Sequence, residues 1–112
     1  MTANQFRRIA LSLPEALESE HMGHPDFRVG GKIFATLDSP ETGWAMVKLT
    51  PEEQAELVSA KPEMFVPVSG GWGLKGATNV RLSRAEASNV RDALICAWRL
   101  RAPKRLATSD VL

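Results

Sequence analysis

Cations set beside glycine and tryptophan are the residues of this chain best suited to chemistry. Arg28 and Lys32 flank the dipeptide Gly30-Gly31, and Lys75 follows Trp72 in the run Ser69-Gly70-Gly71-Trp72-Gly73-Leu74-Lys75-Gly76. Glycine lets backbone amides approach a phosphate closely, a cationic side chain supplies the charge, and an indole offers a face on which a base can stack. Lys48 closes the segment Trp44-Ala45-Met46-Val47-Lys48 and adds a further cation. Arg28, Lys32, Lys48, Trp72 and Lys75 therefore form the candidate nucleic-acid-binding set. The second glycine-rich run is no P-loop, because it lacks the Gly-Lys-Ser/Thr ending and a helix directly after it. A tryptophan in such a loop also has a purely structural use, as a plug that seals the edge of the core.

Other reactive residues form no set. His21 and His24 lie near Glu18, Glu20 and Asp26, all competent metal ligands by type. Gly23 and Pro25 make this segment a turn, so the two imidazoles do not share a helix face as in a helical zinc motif. The expectation is a loop-anchoring role and no metal. Cys96, the single cysteine, cannot form an internal disulfide and falls in an expected helix, which fits a buried thiol in a reducing compartment. Nothing in the chain resembles a Ser-His-Asp set in context, a nucleophile elbow or a juxtaposed carboxylate pair. The expectation is a protein that is not an enzyme and carries no cofactor.

The elements that must position these residues follow from length and pattern. A chain of 112 residues suffices for one domain with two packed layers, and its 44% hydrophobic and 24% charged residues are those of an ordinary globular protein. No apolar run is long enough to cross a bilayer and the start has no uninterrupted apolar stretch, so the expected location is the cytoplasm, away from membranes. The net charge of +1 is unevenly spread: residues 1–60 carry −4 and residues 61–112 carry +5. Such asymmetry either builds a basic patch or is laced into ion pairs across the fold.

Residues 2–13 read as a helix, with Thr2 and Gln5 as a capping box and Phe6, Ile9, Ala10 and Leu13 on one face. Pro14 ends it. Leu17 to Met22 reads as an edge strand, with Glu18 and Glu20 on one side and Ser19 and His21 on the other. The Gly30-Gly31 turn then joins strands at Phe27–Val29 and Lys32–Leu37, the firmest local signal in the chain. Trp44 to Leu49 is a further strand. Thr50-Pro51-Glu52-Glu53 opens a short helix to about Ala60, Met64 to Val68 is a strand that Pro67 places at an edge, and Ala77 to Leu82 is the last strand. Ser83-Arg84-Ala85-Glu86 spells a capping box for the longest helix, which runs to about Arg101. The expected fold is an α+β two-layer sandwich: an antiparallel sheet of about five strands with the N- and C-terminal helices on one face and a short inserted helix. Residues 1–106 form the single domain, and 107–112 a mobile tail.

The run Gly23-His24-Pro25-Asp26-Phe27-Arg28-Val29-Gly30-Gly31-Lys32-Ile33-Phe34-Ala35, the segment Leu49-Thr50-Pro51-Glu52-Glu53-Gln54, the loop Gly71-Trp72-Gly73-Leu74-Lys75-Gly76-Ala77-Thr78 and the ending from Ala97 to Leu106 together resemble the MmcQ/YjbR family of small bacterial proteins. The resemblance implies a fold similar to frataxin and CyaY and a DNA-binding role through a double-wing arrangement. It does not bring iron binding with it. Frataxins bear an acidic ridge on the first helix, where this chain has Arg7 and Arg8 and no acid before Glu15.

Two surfaces could serve such a role. One is the pair of glycine-rich turns acting as wings. The other is an open sheet face, on which strict alternation places Lys32, Phe34 and Thr36 from one strand and Trp44, Met46 and Lys48 from the next. A one-residue slip exchanges either set with its opposite, and the sequence leaves that register open. The alternative function is an interaction module for a protein or small ligand, with Trp44, Met46 or Trp72 as exposed apolar anchors. The oligomeric state is not legible.

Overall fold

The computed structural model describes residues 1–38 and 41–107. In chain order the elements are helix α1 (Ala3–Leu11), strands β1 (Leu17–His21), β2 (His24–Val29), β3 (Lys32–Leu37) and β4 (Trp44–Lys48), helix α2 (Pro51–Ala60), strand β5 (Phe65–Pro67), a helical turn α3 (Gly71–Leu74), strand β6 (Ala77–Arg81), helix α4 (Ala87–Arg101) and a last turn α5 (Lys104–Ala107). The strands form one antiparallel sheet in the order β1-β2-β3-β4-β6-β5. It has six strands where about five were expected, because the short strands β1 and β5 both pair as edges. Helix α4 packs on β3 and β4, α1 packs on α4, and α2 lies against β5 and β6. The helices thus cover one face of an α+β sandwich and leave the other open.

Local chemistry explains most of the boundaries. Thr2 and Gln5 exchange the two bonds of a capping box at α1, and Thr50 and Glu53 do so at α2, where Pro51 occupies the first helical position. The box expected from Ser83 and Glu86 does not form. Leu82 to Arg84 make a 3-10 turn instead, and Glu86 is the N-cap of α4 without a side-chain bond. Leu82 is buried in the core, and its carbonyl accepts bonds from the Ala85 amide and the N-terminal ammonium. Burying Leu82 outweighs a cap worth about 1 kcal/mol. Phe6, Phe27, Leu37, Val47, Leu94 and Trp98 lie in the core between sheet and helices. The Trp98 indole donates to the Pro14 carbonyl at 2.9 Å, which ties α4 to the α1–β1 connection.

The sheet register contains the feature that alternation alone misplaces. Phe27 pairs with Ala35, but the next residue, Arg28, pairs with Ile33, so Phe34 is an extra residue in β3. At such a bulge two consecutive side chains turn to the same face. Phe34 and Ala35 are both fully buried under the helices, while Ile33 and Thr36 both line the open face. Strict alternation had put Phe34 on the open face and Ile33 in the core; the bulge reverses both.

Among the described residues no helix is long and apolar enough to cross a membrane. Of the expected tail, Ala107 ends α5, and residues 108–112 lie outside the described residues.

Candidate functional site

The open face is built from rows of paired residues. Ser19, Asp26, Thr36, Met46, Asn79 and Val66 follow one another across all six strands. Beside this row, Lys48 pairs with Ala77. The centre of the face is a groove of about 490 Å³. Ile33, Thr36, Met46 and Asn79 contribute to its floor, His21 stands on the side of the β1–β2 hairpin, and Ser69 and Trp72 stand on the other. Among the described residues no carboxylate lines it.

Trp72 is 65% exposed and projects from α3 at the groove's edge. The Lys48 ammonium lies 5.3 Å and the Lys75 ammonium 5.9 Å from the centroid of its ring. Both fall within cation–π range, so the indole carries a positive charge on two flanks. The turn that presents it is fixed to the sheet from below. The Gln54 side-chain amide, on α2, donates to the carbonyls of Gly73 at 3.0 Å and Ala77 at 2.9 Å. A Cβ on Gly73 would sit 1.7 Å from the Val68 carbonyl oxygen, and one on Gly76 would sit 2.0 Å from that of Leu49. The glycines therefore serve a close backbone approach that holds Trp72 in place.

Lys48 is half-buried, and burial pushes its pKa below the ordinary lysine value, with the Arg101 charge lowering it further. The Nε of Arg101 is itself buried without an acceptor, as is the Thr36 hydroxyl on the groove floor. Arg101 does not line the groove; the groove's own cation, its unmet Thr36 hydroxyl and, among the described residues, the absence of a carboxylate make it complementary to an anion.

The five sequence-derived residues separate accordingly. Lys48, Trp72 and Lys75 come together. Arg28 shares the open face, but its guanidinium forms a two-bond pair with the buried Asp26 carboxylate at 2.9 and 3.0 Å, which raises the Arg28 pKa. Lys32 pairs with Val29, whose side chain is buried under the helices, so Lys32 stands on the opposite side of the sheet from Arg28. The Gly30-Gly31 turn between them has positive φ at both residues, as a type I′ turn requires, and a Cβ on Gly30 would meet Pro103 at 2.9 Å. That turn is occupied by structure. Trp98 is core, and Trp44 is covered by the Arg81 guanidinium 4.6 Å from its ring centre.

His21 and His24 face each other across the β1–β2 hairpin. Among the described residues no group of three or more His, Cys, Asp and Glu converges as a metal site. The Cys96 thiol is partly buried, and its pKa is raised by burial and by Glu53. Asn79 was not singled out by the sequence, whereas strict alternation does place Thr36 on the open face. Asn79 was within reach: an asparagine between Thr78 and Val80 in a strand is a poor strand former on the face opposite the core.

An antiparallel sheet with helices on one face and a cationic, tryptophan-edged groove on the other defines a class of small α+β domain with an open sheet face. The chain belongs to the YjbR family, whose family model matches residues 11–100. The fold is similar to that of the crystal structure of Deinococcus radiodurans protein DR2400, a DUF419 domain, with a TM-score of 0.76 and 22% identity over 96% of this chain and 83% of that one. No curated protein matches the chain.

Proposed function

We propose that this YjbR-family protein is a non-catalytic DNA-binding module that takes a single strand on its open sheet face. Trp72 stacks an unpaired base, and Lys48 and Lys75 hold the adjoining phosphates. The observation that carries this reading is the placement of an exposed indole between two lysines at the rim of a groove without carboxylates. Base stacking on an aromatic platform contributes about 1–3 kcal/mol per base and tolerates any sequence. The DNA-binding role implied by the family resemblance agrees with this, though through the face rather than through the Gly30-Gly31 turn. A duplex is the poorer ligand, because the cations cluster at one groove while Arg28 is paired and Lys32 lies on the other side.

A second reading is favoured by the groove's size. A volume of about 490 Å³ lies in the range of small-molecule sites, so a compact anionic ligand with an aromatic body would meet the same side chains. Fluorescence anisotropy with a mixed-sequence 12-nucleotide DNA strand at low salt decides between them. Saturable binding is expected, with Trp72→Ala weakening it by roughly tenfold or more and leaving the far-ultraviolet circular dichroism unchanged. No binding of the strand at low salt, or equal binding by Trp72→Ala, overturns the single-strand reading.

A further inference from the structure

Asn79 occupies the middle of the groove floor, between Met46 on β4 and Val66 on β5. It is partly exposed, and its side-chain amide forms no hydrogen bond within the described chain. An asparagine costs strand propensity at this position, and apolar neighbours on both sides give it nothing to bond. Its amide offers one donor and one acceptor side by side, the pattern that meets a nucleobase edge two bonds at a time.

The remaining lining narrows the base. Guanine is read through an arginine or lysine fork at O6 and N7, cytosine through a carboxylate at N4, and adenine through an asparagine or glutamine at N6 and N7. Among the described residues the groove is lined by no arginine and no carboxylate, and its one lysine, Lys48, is the one that meets the phosphate in the proposed function. From these contacts we infer that Asn79 is a specificity-determining residue, reading the N6–N7 edge of an adenine nucleotide whose phosphate meets Lys48 and Lys75. The assignment rests on the single-strand reading above and deepens it. A purine also covers more of the Trp72 ring than a pyrimidine does. The Thr36 hydroxyl, buried beside the floor without a partner, gains an acceptor if the flexible Met46 side chain moves aside for the base.

The test compares 5′-labelled 12-nucleotide strands of dA, dT and dC at one low salt concentration, with unlabelled dAMP as competitor. The wild-type chain is expected to bind the dA strand about tenfold tighter than the others. Asn79→Ala, or Asn79→Thr as the better strand former, brings the dA strand down to the dT value and leaves dT binding unchanged. Equal binding of all three strands by the wild type, or a dA preference that survives both substitutions, overturns the role of Asn79 and leaves the Trp72 and lysine reading intact. Absence of binding to every strand and to dAMP overturns both. Competition by dAMP at the concentration of the strand itself supports the adenine assignment while overturning the strand as ligand in favour of a free nucleotide.

Discussion

Lys48 sits where burial disfavours its charge, beside the Trp72 ring. Burial and the neighbouring Arg101 charge both oppose its protonated form, and no carboxylate of the groove compensates. Its folded pKa lies below its unfolded one, so the penalty is present at neutral pH and is relieved only as pH rises from the folded towards the unfolded value, in the alkaline range. Under the proposed function, this cation packed against an exposed indole serves the ligand's phosphate. Lys48→Met is therefore expected to melt no lower than the wild type at neutral pH, with any gain shrinking as the pH approaches 10. The same substitution should weaken binding of the DNA strand severalfold. Scanning calorimetry at two pH values, beside an anisotropy titration, checks both halves. A clear loss of melting temperature would show that Lys48 serves the core. This conflict is not legible in the sequence, because the lysine ends a strand and reads there as an ordinary solvated charge.

At the scale of elements, the sequence is readable where the signal is local and no core residue competes with it, as Leu82 does with the expected Ser83–Glu86 box. The two N-cap boxes, the Gly30-Gly31 hairpin and the alternation of β4 depend on neighbours within about four residues, and the structure reproduces them. The extra residue in β3 depends on β2 as well, and a pattern of alternating residues cannot contain it. Phe34 goes to the core because a phenylalanine gains more by burial than the regular ladder loses at one bulge. The α3 turn is likewise invisible from its own residues: its glycines matter because of Val68 and Leu49, and its anchor is Gln54 on a different helix. Gln54 thus acts as a positioning residue for Trp72. Gln54→Ala removes one of the donors to each carbonyl, which keep the amides of Gly76 and Val68, and is expected to cost about 1–2 kcal/mol in urea unfolding through the two lost bonds. It should also reduce strand affinity while the Trp72 fluorescence of the free protein becomes more accessible to an acrylamide quencher. Full retention of affinity and quenching would mean that the turn holds its shape without α2.

Across the whole molecule, part of the positive charge of the second half is engaged within the fold. Arg105 bonds Glu15 through two nitrogens at 2.9 Å, Lys61 reaches Glu86 at 3.4 Å, and Arg81 lies over Trp44 and bonds the Glu63 carbonyl. In the first half, Arg7 pairs with Glu18 and Arg28 with Asp26. Of these ion pairs Arg105–Glu15 alone joins the two halves of the sequence, so little of the charge asymmetry is cancelled by pairing among the described residues, and Lys48 and Lys75 are the lysines gathered beside Trp72. That arrangement limits how strongly salt can act on binding. Each phosphate held on a single strand contributes about 0.7 to the slope of log affinity against log salt, so two lysines give a slope of about −1.4. Affinity for a 12-nucleotide strand should then fall only about sevenfold between 50 and 200 mM salt. Lys75→Met should roughly halve the slope, and Lys32→Met, on the opposite face, should leave it unchanged. A slope near −4 in the wild type would require many more phosphate contacts than the groove offers, and would move the binding surface to the exposed arginines of α4.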